Sequence, residues 1–322
     1  MIKAGVIGGA GYTAGELIRI LVHHPEVKIE FVNSTSNAGN PITAVHGGLI
    51  GETGLIFTDE LPVGETDVLF LCSAHGDSRK FLAAHEVPEN VRIIDLSTDF
   101  RHKRDDHDFV YGLPELNKNA IIHANRVANP GCFATTIQLA LLPLAAAGLL
   151  TDDIHVNAIT GSTGAGVKPS STSHFSWRNN NISVYKAFEH QHLEEIFQSI
   201  HQLQPGFAKD LNFIPVRGNF ARGIFATTYT KSSLSEAEAE KIYRDFYNDA
   251  AFTHVVSENP DMKQVVNTNK AIVHVEKHGE YLLIISAADN LLKGASGQAV
   301  QNMNLMFGLD EKTGLNLKSI GF

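Results

Sequence analysis

The stretch KAGVIGGAGYTAGEL, residues 3–17, decides the fold. Lys3 to Ile7 is a short apolar run closed by glycines, which reads as a buried strand. From Ala14 to Val22, apolar residues recur at helical spacing (Leu17, Ile18, Leu21, Val22), and Pro25 stops the helix. Between them the glycines read as G-x-G-x-x-A from Gly9 or as G-x-x-G from Gly8. Such a turn lets backbone N–H groups at a helix N-terminus approach a pyrophosphate. A glycine-rich loop alone could mean less, but strand, turn and helix in that order are the context that supports the motif. Gly8, Gly11, Tyr12 and Thr13 are therefore candidate dinucleotide contacts, with Ser73 after the next apolar run.

Working outward, Lys28–Val32, Val68–Cys72 and Val91–Leu96 read as further strands. Apolar strands alternating with helices indicate a parallel sheet covered on both faces. The first part, residues 1–131, is thus expected to be an α/β Rossmann-type domain with a doubly wound parallel sheet. The pattern changes after about residue 150. Ile154–Thr160 and Ile224–Thr230 are β-rich, and Ala271–Glu276 and Tyr281–Ser286 flank a hairpin at His278-Gly279. Ser235 with Glu238 three residues on is a capping box. Residues 132–294 are expected to form an α+β catalytic and oligomerisation domain with a mostly antiparallel sheet. The last helix, about Ser296 to Phe307, ends at Gly308, and residues 295–322 are expected to pack back on the first domain.

Length and composition bound the function. A chain of 322 residues suggests about two domains. With 43% hydrophobic residues, intrinsic disorder is excluded. A net charge of −9 argues against nucleic acid as a partner. Two cysteines, Cys72 and Cys132, make neither a disulfide framework nor a zinc pattern, so a reducing compartment, the cytoplasm, is expected. The N-terminal apolar run ends at Gly8, too soon for a signal peptide. Ile137–Leu150 contains Gln138, Pro143 and Gly148 and is too short to span a bilayer, so it reads as a buried helix and no membrane role is expected.

The second strand ends in Asn33-Ser34-Thr35-Ser36, where an NAD site usually carries an acid on the ribose hydroxyl. Ser34 and Ser36 can donate to a 2′-phosphate, which favours NADP; they can equally form a plain polar turn. Asn129-Pro130-Gly131-Cys132 precedes an apolar helical run, so Cys132 falls at a helix N-terminus. The helix dipole there stabilises a thiolate. A small buried hydrophobe is the alternative, and it suits Cys72 within VLFLC. A thiolate beside a nicotinamide suggests attack on an activated acyl group, a thioester, and hydride reduction to an aldehyde. A histidine would be the acid/base, and His190-Gln191-His192 stands out. That pair could also chelate, but no constellation supports a metal site.

In this order the residues resemble the N-acetyl-γ-glutamyl-phosphate reductase family, NADP-dependent enzymes of arginine biosynthesis related to aspartate-semialdehyde dehydrogenase. The carrying motifs are Gly11-Tyr12 with Glu16-Leu17, Asp95 to Arg101, Tyr111 to Glu115, Asn129 to Cys132, Ser162 to Gly166, Arg222 to Ile224, and Asn290 to Ala295. The resemblance implies Cys132 as nucleophile and His190 as general acid/base, with His192 beside it. It implies that Ser162 to Gly166, Ser162 and Gly164 among them, line the nicotinamide or substrate site together with Asn290. Arg101, Asn129, His192 and Arg222 become substrate candidates. A fork such as that of Arg101 suits phosphate or carboxylate, although Asp99, Asp105 and Asp106 nearby also allow a surface ion pair. A homodimer or homotetramer, an acyl-phosphate substrate and NADP(H) follow from the same resemblance.

Some positions depart from the family pattern. Ala14 replaces a common Gly, Gln191 an Arg and Glu194 a Pro, and Arg217 stands where a neutral residue is usual. Arg178, in Trp177 to Asn181, has no clear counterpart. The extra cations Arg217 and Arg178 suggest a charged N-acyl group such as succinyl; solvated surface arginines are the plainer account. Sister substrates (aminoadipyl or aspartyl phosphate) and a non-catalytic NADP-binding redox regulator are the competing readings.

Overall fold

A computed structural model describes residues 1–321. The chain divides into two compact units, residues 1–130 with 295–316, and residues 131–294 with 317–321.

The first unit contains β1 (Ile2–Ile7), α1 (Tyr12–Leu21), β2 (Val27–Asn33), β3 (Phe57–Thr58) and β4 (Val68–Leu71). It continues with α2 (Asp77–Ala84), β5 (Arg92–Asp95), β6 (Val110–Tyr111), α3 (Pro114–Ile122) and β7 (Arg126–Ala128). All seven strands pair in parallel, in the order β3-β2-β1-β4-β5-β7-β6. The order reverses at β1, between β2 and β4. In open α/β sheets that switch opens a crevice at the carboxyl ends of the strands, so the turn after β1 lies at it. The wholly apolar β4 is buried along its length, as a strand covered on both faces should be. Helix α1 turns Leu17, Ile18 and Leu21 to the sheet. The last helix, Gly297–Met306, is buried throughout. Polar side chains tie it down: Ser296 Oγ donates to Thr13 O at 2.7 Å, Asn302 Nδ2 to Gly112 O at 2.9 Å, and His24 Nε2 to Asn304 Oδ1 at 3.1 Å.

The second unit opens with α4 (Cys132–Ala146), β8 (Ile154–Thr160), α5 (Phe175–Arg178), β9 (Ser183–Val184) and α6 (His192–Leu203). Next come β10 (Leu211–Arg217), β11 (Ile224–Lys231), α7 (Glu236–Phe246), β12 (Thr253–Val255), β13 (Ala271–His278) and β14 (Tyr281–Ala288). The sheet order is β12-β13-β14-β11-β8-β10-β9. Four of the six pairings are antiparallel; β8 with β10 and β12 with β13 are parallel. The β8–β10 pair is parallel because the intervening chain, with α6, crosses over as parallel strands require. Helix α4 forms the centre of the core under this sheet. Pro143 lies inside it and cannot donate to the Leu139 carbonyl. The Tyr247 hydroxyl takes that acceptor at 2.7 Å, and the Tyr243 hydroxyl takes Ala140 O. Tyr247 thus satisfies the carbonyl that the proline leaves without its helical donor. The Ser235–Glu238 capping box forms at the start of α7.

Candidate active site

In the first unit, α1 starts at an N-cap, Gly11, with no side chain on the cap. Its first N–H groups, those of Tyr12 and Thr13, therefore face forward with the positive end of the helix. Gly8 has φ +77°, a conformation that suits glycine, and a Cβ there would stand 3.0 Å from Ser73 N. Ser73 thus packs directly on the turn. On Gly11 a Cβ would meet only Gly8 O, at 4.0 Å, so the space before the helix is kept clear. The turn is braced from behind: Gly9 N–H donates to Asn33 O at 2.8 Å, and His46 Nε2 donates to Gly9 O at 2.7 Å. Past β2, Ser34 is buried and Ser36 exposed, and Asn37 Nδ2 donates to both hydroxyls, at 3.0 and 3.1 Å. No acid stands at this strand end.

Arg101 and Asn129 also lie in this unit, and both side chains hold the chain itself. Arg101 is 5% exposed; its Nε donates to Asn129 O and its Nη2 to Leu96 O, both at 2.9 Å. Asn129 Nδ2 donates to Ala295 O, and Asn129 Oδ1 accepts from Asn302 Nδ2. Of the acids considered beside Arg101, Asp99 accepts from the Gly76 and Arg79 N–H groups, and Asp106 pairs with Arg79.

In the second unit, Cys132 is the first residue of α4, one position inside the Gly131 N-cap. The Gly131 N–H donates to Glu195 Oε2 at 2.9 Å. Glu195 is 1% exposed, and its other oxygen lies 3.9 Å from His192 Nε2. His190 accepts the His192 N–H on Nδ1 at 3.2 Å, so the neutral ring carries its proton on Nε2. Aromatic rings enclose it: Phe133 at 5.5 Å, Phe213 at 5.4 Å and Tyr185 at 5.9 Å between centroids. Burial, helped by the Lys186 charge, pushes His190 down to about 4, with Glu195 opposing. The ring is therefore neutral near pH 7. Tyr185 is pushed up to about 12 by burial and by the adjacent Cys132 charge, so it remains a phenol. A π-turn, Leu292–Ser296, brings Gly294 so near that a Cβ would stand 2.8 Å from Cys132 Cβ.

The remaining candidates form a clamp. Asp289 is buried and holds Arg222 through two contacts of 3.1 Å, and it also accepts the N–H groups of Asn267, Leu291 and Leu292. Asn290 accepts from Gly223 N–H at 2.7 Å and donates to Thr163 Oγ1 at 3.0 Å. It thereby pins the loop carrying Ser162 and Gly164. Arg178 is buried and spent on carbonyls: it donates to Arg217 O at 2.8 Å and Thr172 O at 3.1 Å. Its expected part in reading a charged acyl group does not fit this setting.

Glu195, Tyr185 and Gly294 were not singled out by their residue types. Glu195 had a signal. It shares the helical stripe His192, Ile196, Ser199 and Ile200, all buried, so an acid there had to face the core. Among the described residues no group of three or more His, Cys, Asp or Glu is arranged to hold a metal ion. No helix among them is long and apolar enough to cross a membrane.

A family model described as semialdehyde dehydrogenase, NAD binding domain, matches residues 3–124, and one described as semialdehyde dehydrogenase, dimerisation domain, matches residues 132–290. Over 322 residues the chain is 66% identical to N-acetyl-gamma-glutamyl-phosphate reductase of Phocaeicola vulgatus, covering 100% of both chains. The chain belongs to the N-acetyl-γ-glutamyl-phosphate reductase family. The reductase of the same name from Christiangramia forsetii is 61% identical over 99% of both chains. Aspartate semialdehyde dehydrogenase II of Vibrio cholerae, solved with ASA, has the same fold at TM-score 0.73 and 16% identity, over 96% of this chain and 98% of that one. The enzyme of Candida albicans, solved with NADP, matches at TM-score 0.71 and 14% identity over 95% and 98%. This reductase-family chain is thus an oxidoreductase with a nucleotide-binding domain and a dimerisation domain.

Proposed function

We propose that the protein reduces N-acetyl-γ-glutamyl phosphate to N-acetylglutamate γ-semialdehyde and phosphate, an NADPH-dependent step of arginine biosynthesis. The observation that carries this reading is Cys132 in the first turn of α4, its charge felt by Tyr185 beside His190 and the Glu195 carboxylate bonded to the preceding Gly131 N–H, in a chain 66% identical to a reductase of that name. The α4 dipole favours the Cys132 thiolate. The sulfur attacks the γ-acyl carbon, the acyl–phosphate bond breaks, and phosphate leaves with the electron pair. NADPH, when bound, supplies the hydride that reduces the thioester. Collapse of the resulting thiohemiacetal returns the thiolate and releases the aldehyde. His190 is the acid/base residue of these steps, with Nε2 turned to the substrate oxygen. A second reading assigns proton transfer to His192, whose Nε2 lies 3.9 Å from the Glu195 carboxylate. Gly8, Gly11, Tyr12 and Thr13 would hold the pyrophosphate, and Ser34 and Ser36 the 2′-phosphate, with Ser73 beside the turn. Within the second unit, Ser162, Gly164 and Asn290 would serve the nicotinamide and His192 and Arg222 the substrate; within the first, Arg101 and Asn129 are the substrate candidates. Residues 1–131, with the C-terminal return, form the NADP domain in this reading, and residues 132–294 the catalytic domain. The half-buried side chains Ile159, Ile214, Phe225 and Tyr229, on the sheet face opposite α4, suit a homodimer surface. A cytoplasmic setting accords with the two free cysteines.

The test runs the reaction backwards, with N-acetylglutamate semialdehyde, NADP and phosphate, following reduced nicotinamide. Phosphate-dependent reduction that vanishes in Cys132→Ala is expected. Absence of reduction in the wild type, with NADP still binding, would overturn the proposal. The pH–rate profiles of His190→Asn and His192→Asn then decide which imidazole moves the proton.

A further inference from the structure

Arg217, the last residue of β10, carries a guanidinium over the Tyr185 ring, 4.5 Å from its centroid. Tyr185 in turn feels the Cys132 charge and lies 5.9 Å from the His190 ring. The Arg217 charge also acts on His190 itself. The guanidinium therefore belongs to the surroundings of the reacting sulfur. Its Nε is buried and bonds to nothing, its side-chain hydrogen bond is to Tyr185, and among the described residues no carboxylate pairs with it. The two nearby arginines differ from it. Arg222 is closed on Asp289, and Arg178 is spent on carbonyl oxygens. A partly buried cation with no counter-ion is costly, so a ligand anion is its natural complement. A planar guanidinium braced against an aromatic face is also pre-organised to meet a carboxylate edge-on.

We infer that Arg217 binds a carboxylate of the acyl-phosphate substrate and orients the acyl chain toward Cys132. This rests on the reaction proposed above. Two carboxylates have the right chemistry. One is the α-carboxylate that every glutamyl substrate carries. The other is the terminal carboxylate of a dicarboxylic N-acyl group.

The experiment compares wild type, Arg217→Gln and Arg217→Lys in the reverse direction, on the N-acetyl and the N-succinyl semialdehyde. Loss of a hydrogen-bonded ion contact predicts a rise in KM of about 10- to 100-fold for Arg217→Gln with kcat little changed. Arg217→Lys, which keeps the charge but not the fork, should fall between. A rise on both substrates supports the inference with the α-carboxylate as ligand. A rise confined to the succinyl substrate supports it with the acyl carboxylate as ligand. Should Arg217→Gln fail to fold, the KM of Arg217→Lys carries the comparison. Unchanged KM on both substrates in the folded variants, with an active wild type, overturns the inference. A wild type inactive on both overturns the proposed reaction instead.

Discussion

Replacing Gly294 by alanine would put an atom where the structure has no room. The new Cβ would stand 2.8 Å from Cys132 Cβ, 3.2 Å from Cys132 Cα and 3.1 Å from Asp289 O. Carbon atoms in ordinary contact lie about 3.5–4.0 Å apart, so the two chains must separate by about 1 Å. None of the three atoms can swing aside. One is a backbone carbonyl, one is a Cα, and the Cys132 Cβ is fixed to α4. Relief must come from moving Cys132 or opening the π-turn. Overpacking of this kind costs about 1–3 kcal/mol, and a 1 Å misplacement of a reacting group costs about 100-fold in rate. Gly294→Ala should therefore lower kcat/KM about 100-fold and Tm by a few degrees, while NADPH affinity stays near wild type. Steady-state oxidation of the semialdehyde, calorimetry and the rate of Cys132 alkylation by iodoacetamide measure this. Wild-type turnover with an unchanged Tm would refute the reasoning, since the chain would then have absorbed the methyl group without moving the sulfur.

Three further outcomes are expected. Glu195→Ala leaves the buried Gly131 N–H without its acceptor, which costs about 1–3 kcal/mol; urea midpoints should fall, Glu195→Gln should restore most of the loss, and equal midpoints for all three proteins would contradict the assignment. His190 titrates at about 4 in the fold against 6.5 ordinarily, so as pH falls through that window the unfolded chain takes up a proton that the folded chain does not, and stability declines. His190→Asn should flatten that decline, and parallel stability–pH curves for the two proteins would show the shift to be absent. Gly8→Ala forces alanine to φ +77° against Ser73, at about 1–2 kcal/mol; fluorescence titration should show NADPH Kd rising about tenfold, and an unchanged Kd would count against the turn as the cofactor cradle.

Much of this fold is readable because local and tertiary preferences agree. The strand, glycine turn and helix over residues 2–21 carry a buried strand, a φ that suits glycine and an apolar stripe in register with one another. The hairpin of β13 and β14 and the Ser235 capping box are equally local. What escapes the sequence is long-range. The exchange of β6 and β7 in the sheet order depends on packing that no local pattern encodes. Among the site residues, Cys132 is legible from Pro-Gly before an apolar helix. Tyr185 is not, because its value comes from Cys132, His190 and Arg217, which lie on three other segments. The two extra arginines show the limit from the other side. Arg178 and Arg217 look alike as letters, yet one is saturated by carbonyls and the other lacks a counter-ion.

The first unit is assembled from two separated parts of the chain, residues 1–130 and 295–316. During synthesis its seven strands leave the ribosome long before the helix Gly297–Met306 that covers them. Asn302 and Asn304, which bond Gly112 and His24, arrive only at the end. The second unit has its α4-centred core complete by then. The usual order of vectorial folding, N-terminal domain first, is thereby inverted: the second unit can mature while the first waits, uncapped, for the final segment. A nascent chain stalled before residue 295 would leave the first sheet without the helix that covers it.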